Sequence, residues 1–126
     1  MITDPKEIDQ TLRTIIKAHL GPLQLRKDDE SGLEAAGTIP TMQGKQKVDG
    51  IYFASVMPKP KDARLYFFPI YTDATHFENI APELRKCLKG KSCFHIKKLD
   101  KGLQEEITKM IVTGIKVYQE KGILTA

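Results

Sequence analysis

Several groups of residues have types that chemistry uses, and in most of them the spacing argues against it. Gly90-Lys91-Ser92 has the ending of a phosphate-binding loop. That loop needs a further glycine where this chain has Arg85. It must also run from strand to helix, so that helix-start N–H groups meet the phosphate. The pattern here runs from helix to strand, and the segment reads as a helix stop followed by a basic turn. Cys87, Cys93 and His95 offer two thiols and an imidazole. Cys93 and His95 fall on the same face of a strand, but Cys87 lies on the apolar stripe of a helix. No two cysteines have the separation of about two to four residues usual in zinc sites. They read as structural thiols, the common state of a free cysteine. Asp28-Asp29-Glu30 lacks the alternating oxygen ligands of a calcium loop and reads as a solvated turn. His19, near the end of the first helix, and His76, in a turn, have no ligand partner nearby. Nucleophile elbow, His-Glu-x-x-His and glycine-rich dinucleotide turn are all absent. The chain is therefore read as not an enzyme, with no cofactor.

Two features point instead to binding. Between Arg85 and Lys101 seven basic residues stand against one acid, while the chain as a whole carries +4. Such a stretch suits an anionic ligand, and equally a solvated face and a protected strand edge. Its only aromatic is Phe94, so the stacking platform of single-strand binders is missing and nucleic acid is not expected. The second feature is a pair of strands, Ile51–Met57 and Arg64–Tyr71, apolar on both faces. Tyr52, Ala54 and Val56 alternate with Ile51, Phe53 and Met57, and Leu65 and Phe67 alternate with Tyr66, Phe68 and Ile70. A sheet with one wet face should alternate apolar and polar. Its second face is expected to be covered by a partner subunit, a small ligand or the loop Thr41–Asp49. Tyr52, Tyr66, Phe68, Lys89, Lys91 and His95 are the candidate ligand-binding or interface residues. A homodimer and a small or anionic ligand are the partners they suggest, and charge at Tyr52 or Tyr66 would break a dimer seam.

The elements that hold these residues follow from periodicity. Asp4, Pro5 and Glu7 start a helix whose stripe is Ile8, Leu12, Ile15, Ile16 and Leu20; Gly21-Pro22 stops it. Leu23 and Leu25 begin a strand, Asp28 to Gly32 turns it, and Leu33–Ile39 returns. Thr41–Lys47 reads as a polar loop. After the aromatic hairpin, Phe77, Ile80, Ala81, Leu84, Cys87 and Leu88 lie at helical spacing, with a helix start near Pro82 and a stop at Gly90. Ser92–Leu99 reads as the last strand. Asp100 caps a final helix bearing Leu103, Ile107, Met110, Ile111, Gly114, Val117 and Tyr118. Blocked, hairpin-connected strands predict an α+β domain over residues 1–126, with a mostly antiparallel sheet of about five strands and three helices. The length fits one domain. The charged N-terminus, the seven-residue apolar run Leu65–Tyr71 and the two cysteines argue against a signal peptide, a membrane span and a disulfide framework. Cytoplasm is the expected location.

Gly50–Met57, Leu65–Tyr71, Leu88–His95 and Gly114–Tyr118 resemble the YdhG-like domains, small bacterial proteins mostly of unknown function. The resemblance spans Gly50 to Gly122. Some members are described as frataxin-like intracellular iron chaperones, so the resemblance implies an iron role as the alternative. Frataxins use an acidic helix and strand edge. The first helix here offers only Asp4, Glu7 and Asp9, and no iron ligand carries over by position.

Overall fold

A computed structural model describes residues 1–126. The first helix, α1 (Pro5–Lys17), starts where the sequence places it, with Asp4 accepting the Lys6 N–H at its N-terminus. Ile8, Leu12 and Ile16 are buried along one stripe, whereas Leu20 lies beyond the helix and is exposed. Strands β1 (Gln24–Asp29) and β2 (Gly32–Ala36) form a hairpin around Glu30-Ser31, so the returning strand stops short of Ile39. Thr41–Lys47 is not the polar loop expected. It is a small hairpin, β3 (Thr41–Gln43) and β4 (Gln46–Val48), whose turn uses Gly44 at φ 62, a left-handed conformation that glycine adopts without a Cβ clash.

The central hairpin is β5 (Tyr52–Pro58) and β6 (Ala63–Phe67). The second strand ends four residues before Tyr71, because Pro69 has no N–H for a ladder and suits the first turn of a helix. The chain turns there into α2 (Pro69–Thr72) and a 3₁₀ turn, Ala74–Phe77. The helix expected to start near Pro82 does so as α3 (Pro82–Arg85), but it is a single turn and stops short of Gly90. β7 (Cys93–Ile96) is shorter than the Ser92–Leu99 expected. The last helix, α4 (Lys101–Glu120), is capped by Asp100, whose Oδ1 accepts the Leu103 N–H at 2.7 Å.

Five strands form one antiparallel sheet in the order β1-β2-β5-β6-β7. The fold is α+β, as predicted. One sheet face carries Leu33, Ala54, Val56, Leu65, Phe67 and Phe94, all buried with the stripes of α1 and α4 in a single core. Phe67 makes edge-to-face contacts with Phe53 and Phe77, and Phe53 a third with Tyr118 of α4. Each fully buried Phe or Leu contributes roughly 1.5–3 kcal/mol of transfer free energy.

A bulge in β5 breaks the simple alternation. Ala35 pairs with Ala54 but Ala36 with Tyr52, so Phe53 has no partner in β2. Phe53 and Ala54 are both fully buried, consecutive residues that a regular strand would send to opposite faces. Tyr52 is thereby left on the outer face, and its N–H donates to Gln43 Oε1 of the small hairpin at 2.9 Å.

A buried ion pair ties α1 to the first hairpin. Arg13 and Asp9 are 5% and 4% exposed, with Nε 3.1 Å from Asp9 Oδ2. Arg13 Nη1 reaches Asp28 Oδ1 at 3.1 Å and donates to the Asp29 carbonyl at 2.7 Å. The Lys17 ammonium, 2.6 Å from Asp28 Oδ2, holds the Asp28 carboxyl below its ordinary range, against burial and with help from Arg13. A depressed carboxyl contributes stability at pH above the unfolded value of 3.8 and loses it as the pH falls through the folded one. Arg13→Ala strands the Asp9 carboxylate and should cost about 3 kcal/mol in urea unfolding at neutral pH. A change under 1 kcal/mol (roughly the scale of an exposed pair) would show that the pair does not hold α1.

Candidate functional site

With Leu65, Phe67, Phe94 and Ile96 facing the core, the residues between them face out. On β6 and just beyond it these are Arg64, Tyr66 and Phe68; on β7 and just before it, Lys91, Cys93 and His95. Cross-strand pairing sets them in rows. Met57, Arg64 and His95 form one row, and Ser55, Tyr66 and Cys93 the next. Beyond the second row the Tyr52 and Phe68 rings lie 5.5 Å apart. Tyr71, one turn on from Phe68, stacks at 6.0 Å, and the Lys91 ammonium sits 5.4 Å from its ring centre. The face therefore runs from a cationic row, through a row of hydroxyls and a thiol that ends at Glu34, to an aromatic row beside which Lys91 sits.

Asp62 organises the cationic row. Its side chain is 5% exposed. One oxygen accepts from Arg64 Nε at 3.1 Å, and the other lies 3.8 Å from His95 Nδ1. That second distance is too long for a hydrogen bond. The terminal nitrogens of Arg64 have no carboxylate partner. A cavity of about 580 Å³ opens at this end, lined by Lys59, Lys61, Arg64, His95 and Lys97, with Asp62 the only carboxylate.

In the middle row the Tyr52 hydroxyl and Ser55 Oγ are 2.7 Å apart. Burial pushes the Tyr52 hydroxyl up to about 12, so it is a neutral hydrogen-bonding group. Burial also raises the Tyr66 hydroxyl, and its contact with Cys93 adds to the rise. The Cys93 thiol is pushed up by burial, against the lowering effects of the Tyr66 hydroxyl and Arg64. Burial likewise raises Cys87. Neither thiol has the lowered pKa of a catalytic nucleophile.

Tyr52, Tyr66, Phe68, Lys91 and His95 thus share one face, as five of the six residues singled out in the sequence. Lys89 does not. The segment Cys87–Lys89 pairs with the outer edge of β7, with the His95 N–H donating to the Cys87 carbonyl at 2.8 Å and the Lys89 N–H to the Cys93 carbonyl at 2.7 Å. Lys89 lines a second cavity beyond that edge. Ile70, grouped with the tyrosines by alternation, is buried, because the helical turn at Pro69 changes its direction. The face is also less apolar than expected, since Ser55 and Arg64 stand in it. The pattern missed Arg64, Asp62 and Tyr71. The sequence signal for the first two is an arginine two residues after a turn aspartate, and the burial of Asp62 that gives it meaning is visible only in the fold.

No three His, Cys, Asp or Glu side chains come together as a metal-holding group. Of the acidic residues on and near α1, Asp9 and Asp28 are engaged by Arg13 and Lys17, and Asp4 caps the helix. No helix is long and apolar enough to cross a membrane. Comparison with protein-family models, with curated proteins and with solved structures finds no match.

The thiol geometry is open to direct measurement. A raised pKa lowers the thiolate fraction at any given pH, so both cysteines should alkylate with iodoacetamide more slowly at neutral pH than an unhindered cysteine peptide, and faster as the pH rises. Tyr66→Phe removes the hydroxyl that lowers Cys93. It should slow Cys93 further and leave Cys87 unchanged, as read by mass spectrometry of the labelled peptides. Faster labelling of Cys93 in Tyr66→Phe would contradict the contact.

Proposed function

We propose that this chain is a non-catalytic binding domain for a small organic anion, held on the open face of the sheet. The observation that carries the reading is the gradation of rows. Arg64 and His95 stand beside Tyr66, Ser55 and Cys93, which stand beside Phe68, Tyr52 and Tyr71. The negative group of the ligand pairs with the Arg64 guanidinium, whose Nε side Asp62 fixes while its terminal nitrogens stay available. The flat body of the ligand lies along the aromatic row, where ring contacts add to area burial.

The family resemblance suggests a frataxin-like iron role as the alternative, and no grouped set of metal donors stands behind it. A second copy of the chain covering the same aromatic row is the competing use of this face, and light scattering at the titration concentration separates the two.

Calorimetric titration with phenyl phosphate and with inorganic phosphate tests the reading. Phenyl phosphate should bind about tenfold tighter, the equivalent of roughly 1–1.5 kcal/mol of aromatic contact. Arg64→Ala should weaken both by about tenfold or more, because it removes hydrogen bonds to a charged group. Tyr71→Ala should remove only the advantage of the phenyl ring. A folded Arg64→Ala protein with unchanged affinity, or a wild-type chain that binds neither compound and scatters as a dimer, would reject it.

A further inference from the structure

The cavity beside Arg64 is not the only basic one. A second, of about 400 Å³, lies beyond the edge of β7, lined by Glu83, Lys86, Lys89, Lys98 and Asp100 among others. His95 and Lys97 line both cavities. We infer that the two are one extended site, and that its ligand is a compound with two or more anionic groups, of the di- or polyphosphorylated class, seated with one group in each cavity on either side of Lys97. This rests on the anion-binding reading given above.

The charge inventory carries the inference. Lys59, Lys61, Lys86, Lys89, Lys97 and Lys98 line the two cavities, and none of them makes a salt bridge. The lysines that do pair, Lys17, Lys109 and Lys121, lie elsewhere. Gathered like charges repel, and a polyanion relieves that repulsion at several points at once. Three carboxylates line the cavities. Asp62 is taken by Arg64 and Asp100 Oδ1 accepts the first-turn N–H of Leu103, while Glu83 makes no salt bridge and stands against Lys86, Lys89 and Lys98. One wall of the second cavity is anchored. The Cys87–Lys89 segment is hydrogen-bonded to β7 at both Cys87 and Lys89, and Gly90 turns the chain back in a left-handed conformation at φ 92. The backbone that carries Lys89 is therefore tied to the strand that carries His95, which sets the spacing of the two cavities. Two linked anionic groups that fit this spacing bind with the advantage of an effective local concentration.

The test is a calorimetric series at constant ionic strength with orthophosphate, pyrophosphate and tripolyphosphate. The intact chain should bind tripolyphosphate at least about tenfold tighter than orthophosphate, an advantage of roughly 1.4 kcal/mol. The double variant Lys86→Ala/Lys89→Ala should lose most of that advantage while its orthophosphate affinity stays within about twofold, a difference of roughly 0.4 kcal/mol. Lys45→Ala/Lys47→Ala, on the β3–β4 hairpin, removes the same charge and should leave the advantage intact; circular dichroism checks that both variants fold. An equal loss in the two double variants, or no chain-length advantage in the intact chain, would overturn the extended site and leave single-anion binding at Arg64 standing. No binding of any of the three phosphates would overturn the anion-binding reading and the extended site with it.

Discussion

The ring of Phe67 lies against Gly114, and this contact fixes which way the sheet faces. A Cβ at Gly114 would stand 2.6 Å from Phe67 Cζ, inside any tolerated contact, so α4 can approach β6 this closely only with glycine there. With Phe67 committed to the helix side, alternation commits Leu65 to the same side and sends Arg64, Tyr66 and Phe68 the other way. Pairing to β7 then carries the same division across to Phe94 and Ile96 inside and Cys93 and His95 outside. One close helix–strand approach thus settles the composition of the open face. The same packing explains why the face is graded, since its rows are the outward halves of strands whose inward halves had to be apolar.

The charges of the open face are arranged, not merely abundant. Lysines on exposed loops are solvated and exert little at a distance in salt. Arg64 differs because a buried carboxylate holds its Nε, which restricts the side chain before any ligand arrives. Pre-ordering of this kind reduces the entropy lost on binding. His95 sits across from the same carboxylate without a hydrogen bond to it and is left free to contact a ligand. The thiol and the two tyrosine hydroxyls on the face have their pKa values raised by burial, which leaves them as neutral hydrogen-bonding groups.

Much of this was legible in the sequence. The caps at Asp4 and Asp100, the apolar stripes of the first and last helices, and the strand character of Tyr52–Met57 are local signals, and local signals survive into the fold. That Tyr66 and Phe68 share a face, and Cys93 and His95 another, was also legible, because the pleat has a period of two, whereas Tyr52 joins them only through the bulge in β5. What was hidden depends on partners remote in sequence. The bulge at Phe53 arises from the pairing of β5 with β2 and cannot be seen in β5 alone. The helical turn after Phe68 was signalled by Pro69, but the aromatic run around it reads equally well as strand. The strand pair at Thr41–Val48 has none of the apolar alternation that marks a half-buried sheet. Lys89 stands apart from the other five candidates because the edge pairing of Cys87–Lys89 with β7 carries it round to a different cavity. Asp62 was overlooked because a turn aspartate is ordinarily solvated, and only the fold shows it buried beneath Arg64.

The central claim is that the open face, with Arg64 at its charged end, is where this domain binds. Backbone amide shifts recorded by NMR while phenyl phosphate is added test it most directly, because they report position as well as affinity. The account predicts a contiguous set of perturbed amides running from Arg64 and His95 through Tyr66 and Cys93 to Phe68 and Tyr71, saturating together, with the amides of α1 unmoved. Perturbations centred on α1 or the β1–β2 turn, or none at concentrations that saturate ordinary phosphate sites, would contradict it.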